Sequence, residues 1–149
     1  MSSQNKGNIL EKKVGNWLRN SFGFNIKRND LVRGYAVKRP YEADVHGIIE
    51  TGVKKRYDLW VECKSFKINR GHVRKLVANA GDVRDAAEEN IAEWYPDILM
   101  MCSSKGFDVN AIGWADKHDV YCVKVEIKKY DFVGKMKKED FNNLEKSNY

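Results

Sequence analysis

From Asn8 to Phe22 the apolar side chains fall at Leu10, Val14, Trp17, Leu18 and Phe22, the spacing of one buried helical stripe, and Gly23 ends it. Phe24 to Arg28 then alternates apolar and polar residues as a short strand does, and a polar loop follows through Pro40. Glu42 to Ile49 and Arg56 to Phe66 both read as strands. Glu50 to Lys55 between them has the glycine and polar character of a hairpin loop, so the pair predicts an antiparallel hairpin. Val73, Leu76, Val77, Ala80, Ala87 and Ile91 mark a second long helix from Arg70 to about Glu93, with Gly81 tolerated inside it and Pro96 barring its continuation. Asp97 to Ser103 is a short apolar run suited to a buried strand, Asn110 to Lys117 a short helix, and Val120 to Ile127 a later strand. The charged stretch from Lys135 to Tyr149 reads as a surface helix or a frayed tail.

The resulting order α-β-β-β-α-β-α-β predicts an α/β layered architecture, with helices around one central mixed sheet. A chain of 149 residues is long enough for one domain with its own core and short for two, so residues 1–149 are read as a single domain. With 42% hydrophobic and 32% charged residues the chain belongs with globular proteins rather than disordered ones. Cys63, Cys102 and Cys122 are widely spaced, odd in number and embedded in apolar runs, which suggests reduced core thiols in an intracellular, cytoplasmic protein and offers no zinc cluster. Met1 to Lys6 lacks the apolar centre of a signal peptide, and no apolar run approaches a membrane span. The net charge of +6 favours polyanionic partners, nucleic acid among them.

The strand Tyr57-Asp-Leu-Trp-Val-Glu-Cys-Lys64 carries the chemistry. Alternation puts Glu62 and Lys64 on one face and Leu59, Val61 and Cys63 on the other. If the hairpin turns near Thr51 to Val53, Asp44 falls opposite Glu62. As bare spacing the Glu62 and Lys64 pair also fits a solvated strand face, but Trp60 on one side and Leu59 with Val61 on the other suggest a central strand, where charges need a reason. Two facing carboxylates are costly unless a cation completes them. Oxygen ligation by Asp44, Glu62, a backbone carbonyl such as that of Cys63, and water suits Mg²⁺, with Mn²⁺ able to substitute.

Ala43-Asp44-Val-His-Gly followed by Trp60-Val-Glu62-Cys-Lys64, behind a helix carrying Glu11, resembles the PD-(D/E)xK nuclease superfamily and within it the Mrr-like restriction endonucleases. The run Asp97 to Ala111, then His118 to Val123, looks like that family's later strand, polar turn, short helix and final strand, so the resemblance spans about residues 6 to 125. It implies a restriction-endonuclease-like core with Asp44 and Glu62 as metal ligands, Lys64 beside the attacking water, and Glu11 as a further carboxylate of the metal shell. Glu11, Val14 and Leu18 stand at i, i+3 and i+7, which borders Glu11 on the buried stripe. A solvent glutamate in a first turn, favoured by the helix dipole, is the other reading. Ala43 stands where the superfamily has proline, and His46 where a small or apolar residue is expected. His46 is read as a satisfied structural histidine in preference to a DNA contact. Glu42 ranks behind Glu11 as a helper of the metal.

The expected activity is metal-dependent endodeoxyribonuclease cleavage of DNA. The alternatives are a structure-specific nuclease similar to the Holliday junction resolvases, or a non-catalytic DNA-binding subunit on a nuclease fold. Candidate phosphate contacts are Lys27, Arg28, Arg33, Lys38 and Arg39 before the hairpin, Lys54 to Arg56 in it, and Lys67, Arg70 and Arg74 after the motif. Trp60 and Tyr35 are placed in packing or loop anchoring ahead of base stacking. A homodimer or a partner that supplies specificity is compatible with the family analogy.

Overall fold

The computed structural model describes residues 3–51 and 55–144. Ten elements follow in chain order: α1 (Ser3–Phe22), β1 (Asn25–Val32), β2 (Tyr41–Glu50), β3 (Arg56–Lys64), α2 (Arg70–Glu88), β4 (Pro96–Ser103), α3 (Val109–Lys117), β5 (Val120–Val125), β6 (Tyr130–Val133) and α4 (Lys138–Asn142). The six strands form one mixed sheet in the order of the chain. β1, β2 and β3 are antiparallel neighbours, β3, β4 and β5 run parallel, and β6 returns antiparallel to β5. Each parallel step is made through a helix, α2 and then α3, as such crossovers require.

Both faces of the sheet are covered. α1 lays Leu10, Val14, Trp17 and Leu18 on Val45, Ile49, Leu59 and Val61, and α4 adds Phe141 to this layer. On the other face Val73, Leu76, Ala80 and Val83 of α2 and Ala111 and Ala115 of α3 cover Trp60, Leu99, Met101 and Cys122. β3 is therefore central, with Leu59, Trp60 and Val61 all fully buried. The three cysteines are buried free thiols. No helix among the described residues is long and apolar enough to cross a membrane.

Several boundaries differ from the expectation. α1 begins at Ser3, five residues before Asn8. β1 runs to Val32 through part of the expected polar loop, because it is an edge strand whose ladder with β2, ending at Val32 and Tyr41, tolerates polar side chains facing out. α2 stops at Glu88 instead of Glu93: Asn90 takes a left-handed conformation with φ 59°, and the Ile91 N–H turns back to the Ala86 carbonyl at 2.8 Å. Ile91 is consequently 40% exposed and is not part of the helical stripe. β6 is an additional strand, and the expected frayed tail instead contains α4, whose Phe141 is only 1% exposed and packs edge-on against Phe22 and Tyr121. The Gly52 to Lys54 part of the hairpin loop and the Glu145 to Tyr149 part of the tail lie outside the described residues.

Candidate active site at the splayed end of the hairpin

The β2 and β3 ladder runs from Glu50 and Arg56 to Val45 and Val61, and its register continued by one step sets Asp44 opposite Glu62. At that step the backbones stop pairing. Ala43 belongs to the α2 side of the sheet while Val45 belongs to the α1 side, so the alternation of β2 breaks at Asp44, and Asn29 facing it on β1 has a φ of 52°. The Asp44 carboxylate occupies the opening and accepts the Cys63 N–H at 2.8 Å. A side chain thus replaces a ladder bond and points along the sheet, within reach of both layers.

From the α1 layer comes Glu11, only 8% exposed. It lies in the third turn of a helix starting at Ser3, which removes the solvent and first-turn reading. From β3 comes Glu62, half-buried, with Oε2 sealed from solvent and without a hydrogen-bond partner. Burial first and then the neighbouring Asp44 raise Glu62 to a pKa of about 9. The same two causes raise Glu11 to about 7, although Arg28 opposes the shift through an ion pair at 3.4 Å. Three carboxylates converge here with less positive charge around them than they need to ionise together. Among the described residues no three or more His, Cys, Asp or Glu side chains are already spaced as a cage for a metal ion.

Lys64 stands beside this group and divides two cavities. On its α1 side an open cleft of about 380 Å³ is lined by Gly7, Glu11, Asp44, Cys63, Ser65 and Phe66 as well as Lys64 itself. On its α2 side a pocket of about 90 Å³ brings Glu62 and Lys64 against His72, Lys75 and Asn79. These three positions were missed by sequence reasoning. Their i, i+3 and i+7 spacing in the helix that directly follows the motif is the signal that identifies one helical face. His72 closes the N-terminal cap of α2, its Nδ1 accepting the Asn69 N–H at 3.0 Å while Asn69 Oδ1 accepts the His72 N–H. Nδ1 is therefore the acceptor and Nε2 carries the proton. Burial, aided by the Lys64 charge, lowers the His72 pKa and keeps the ring neutral.

The other expected residues sort clearly. Arg28 reaches the site through Glu11. Lys67 lines a neighbouring cavity with Lys105 and Lys124. Arg33 is held by Glu93 at 2.7 Å, and the Arg74 guanidinium lies 5.1 Å from the Trp114 ring centre. Arg33, Lys38 and Arg39 do not line the cleft, because the loop from Arg33 is fastened to Asp82 of α2 and carries its charges away, and Arg70 and Arg74 of α2 do not line it either. Arg56 pairs with Asp58, Lys27 and Glu42 are exposed outside the cleft, and Lys54 falls outside the described residues. Trp60 is core, with its ring 5.9 Å from that of Trp94. His46 is 1% exposed, and its two ring nitrogens face Asp30 and Asp58, each at 2.7 Å.

The fold and the site define a mixed α/β protein with a six-stranded sheet flanked by helices and an acidic cluster where its hairpin opens. No family model and no curated relative matches the chain. Among solved structures it is similar to the crystal structure of a protein of unknown function, AF1548, with 18% identity and a TM-score of 0.61 over 77% of this chain and 56% of that one. The chain thus matches about half the length of that neighbour, and at this identity the likeness concerns the fold alone.

Proposed function

We propose that this chain is a divalent-metal-dependent deoxyribonuclease on a restriction-endonuclease-like core, similar to the Mrr-like members of the PD-(D/E)xK superfamily. The observation that carries the reading is the convergence of Glu11, Asp44 and Glu62 beside Lys64 at an open cleft, with two of the carboxylates driven toward protonation. A structural cluster would be neutralised by its own partners. Here Glu62 Oε2 is buried with no hydrogen-bond partner, which supports a place for it among the ligands of a cation.

The all-oxygen donor set of Glu11, Asp44, Glu62 and the Cys63 carbonyl suits Mg²⁺, with Mn²⁺ as substitute. Such an ion offsets phosphate charge and makes water acidic enough to attack a phosphodiester at neutral pH. Asp44 is oriented for this by the Cys63 N–H. Lys64 puts an ammonium at the boundary of the two cavities, where it donates to a phosphate oxygen or holds the attacking water. Lys75 extends the positive charge along the same edge.

The test is incubation of the purified chain with linear, supercoiled, single-stranded and branched DNA in Mg²⁺ or Mn²⁺. Cleavage that EDTA stops, and that Lys64→Ala lowers by about 100-fold or more while DNA binding persists, is the expected result. Absence of cleavage on all four substrates in both metals rejects the reading for the isolated chain.

A further inference from the structure

The cleft does not end at the acidic cluster. Ser65 also lines a neighbouring groove of about 320 Å³ between the start of α1 and the C-terminal ends of β3, β4 and β5. Leu10, Val125 and the 54% exposed Ile9 make its floor. Lys6, Lys13 and Lys105 make its rim. Lys13 is a wall more than a free charge, since its Nζ donates to the Glu126 carbonyl and lies 5.9 Å from the centre of the Tyr130 ring. Neither Lys6 nor Lys105 has an ion pair among the described residues, so both ammoniums are available. Beyond Lys105 a third cavity, of about 260 Å³, adds Lys67 and Lys124. Three cavities linked by Ser65 and Lys105 thus follow the carboxyl ends of the parallel strands, the edge where open α/β sheets take their ligands.

We infer that this groove binds an unpaired DNA strand adjoining the bond to be cut, which makes tailed or branched DNA the substrate class. An aliphatic floor between ammoniums matches a polymer that presents a flat apolar face and a phosphate at each repeat. In a duplex the base faces are stacked on one another and only the phosphates remain. A blunt duplex satisfies the rim and leaves the floor bare, whereas a single strand satisfies both. The volume is that of a ligand site, roughly 300 Å³ or more. The inference rests on the nuclease reading for its purpose, and the binding it describes is measured without cleavage.

Fluorescence anisotropy in EDTA, which withholds the metal that the proposed cleavage needs, with a fluorescein-labelled blunt duplex and the same duplex carrying a single-stranded dT tail, tests it. Ile9→Glu and Lys105→Glu alter exposed side chains outside the acidic cluster, and each is first checked for an unchanged melting temperature. The wild type is expected to prefer the tailed DNA by about tenfold or more, with the floor variant Ile9→Glu losing that preference and holding the blunt duplex within about twofold, and the rim variant Lys105→Glu weakening both DNAs. Equal wild-type affinity for the two DNAs, an Ile9→Glu variant that keeps the preference, or a Lys105→Glu variant that binds both DNAs as the wild type does, overturns the inference. If the preference is lost in Ile9→Glu but nothing is cut in Mg²⁺ or Mn²⁺, the groove stands and the nuclease reading falls. If blunt and tailed DNA bind and are cut alike, the reverse holds.

Discussion

β2 and β3 each contribute to two charged groups a few residues apart, and the two groups are built oppositely. Deeper in the hairpin, His46 lies between Asp30 and Asp58 with both ring nitrogens bonded, stacked 3.8 Å from Trp94, while Arg56 grips Asp58 from the rim at 2.8 Å. Burial works to raise Asp58, yet His46 and Arg56 outweigh it and the Asp58 pKa is lowered. Two steps along β2 and four along β3, Asp44 and Glu62 meet Glu11, and there the pKa values of Glu62 and Glu11 rise. The first group is complete within the protein. The second is left unbalanced by its own partners, and that imbalance is what supports the proposal that the site lies there.

The contrast can be broken hardest at its balanced half. His46→Ala strands two carboxylates in the sheet and removes the stack on Trp94, and a loss of about 3–5 kcal/mol in urea unfolding is expected. A loss below about 1 kcal/mol would show that the network is dispensable. In the unbalanced half the sign reverses. Glu62 and Glu11, raised above the usual 4.5 to about 9 and about 7, bind protons more tightly when folded, so in EDTA stability falls as pH rises from about 5 toward those values. One such group contributes a slope of up to about 1.4 kcal/mol per pH unit. Glu62→Gln removes its share, and the variant is expected to unfold about 1–3 kcal/mol later than the wild type at pH 8 without metal. Adding Mg²⁺ should raise the wild-type melting temperature at pH 8 and leave that of Glu62→Gln nearly unmoved. The smallest effect belongs to Arg56→Gln. Its side chain is 49% exposed and solvent screens the pair, so less than about 1 kcal/mol is expected, appearing as a mild shift of acid unfolding to higher pH as Asp58 loses part of what depresses it.

The parts of this molecule that repeat along the chain were legible in it. The stripe of α1, the alternation of β3 and the hairpin follow from periodicity, and with them the placing of Asp44 opposite Glu62. What periodicity cannot express is a break in it. Asp44 does not project to the His46 face as strict alternation requires, because the strand changes phase at that residue, and only this change lets it meet Glu11. The partners of His46 are equally hidden, since Asp30 and Asp58 come from two other strands and have ordinary surface sequences around them. Short apolar segments among charges defeat pattern reading for a different reason. β6 has four residues and α4 five, too few to show a period, and Phe141 is core because of Phe22, Phe24 and Tyr121, residues at least twenty positions away. The basic loop from Arg33 looked like a phosphate contact only while its anchor, Asp82, was out of view.

The bond from the Cys63 N–H to Asp44 makes one backbone proton a witness to the chemistry beside it. Isotope labelling of cysteine nitrogen gives three amide signals in this chain, and one of them belongs to a donor whose acceptor is the central carboxylate. Any ion, proton or phosphate that draws charge from Asp44 weakens that hydrogen bond and moves the Cys63 resonance, while the amides of Cys102 and Cys122 stay within regular ladders of β4 and β5. The molecule carries its own spectroscopic gauge of occupancy, readable with no substrate and no turnover.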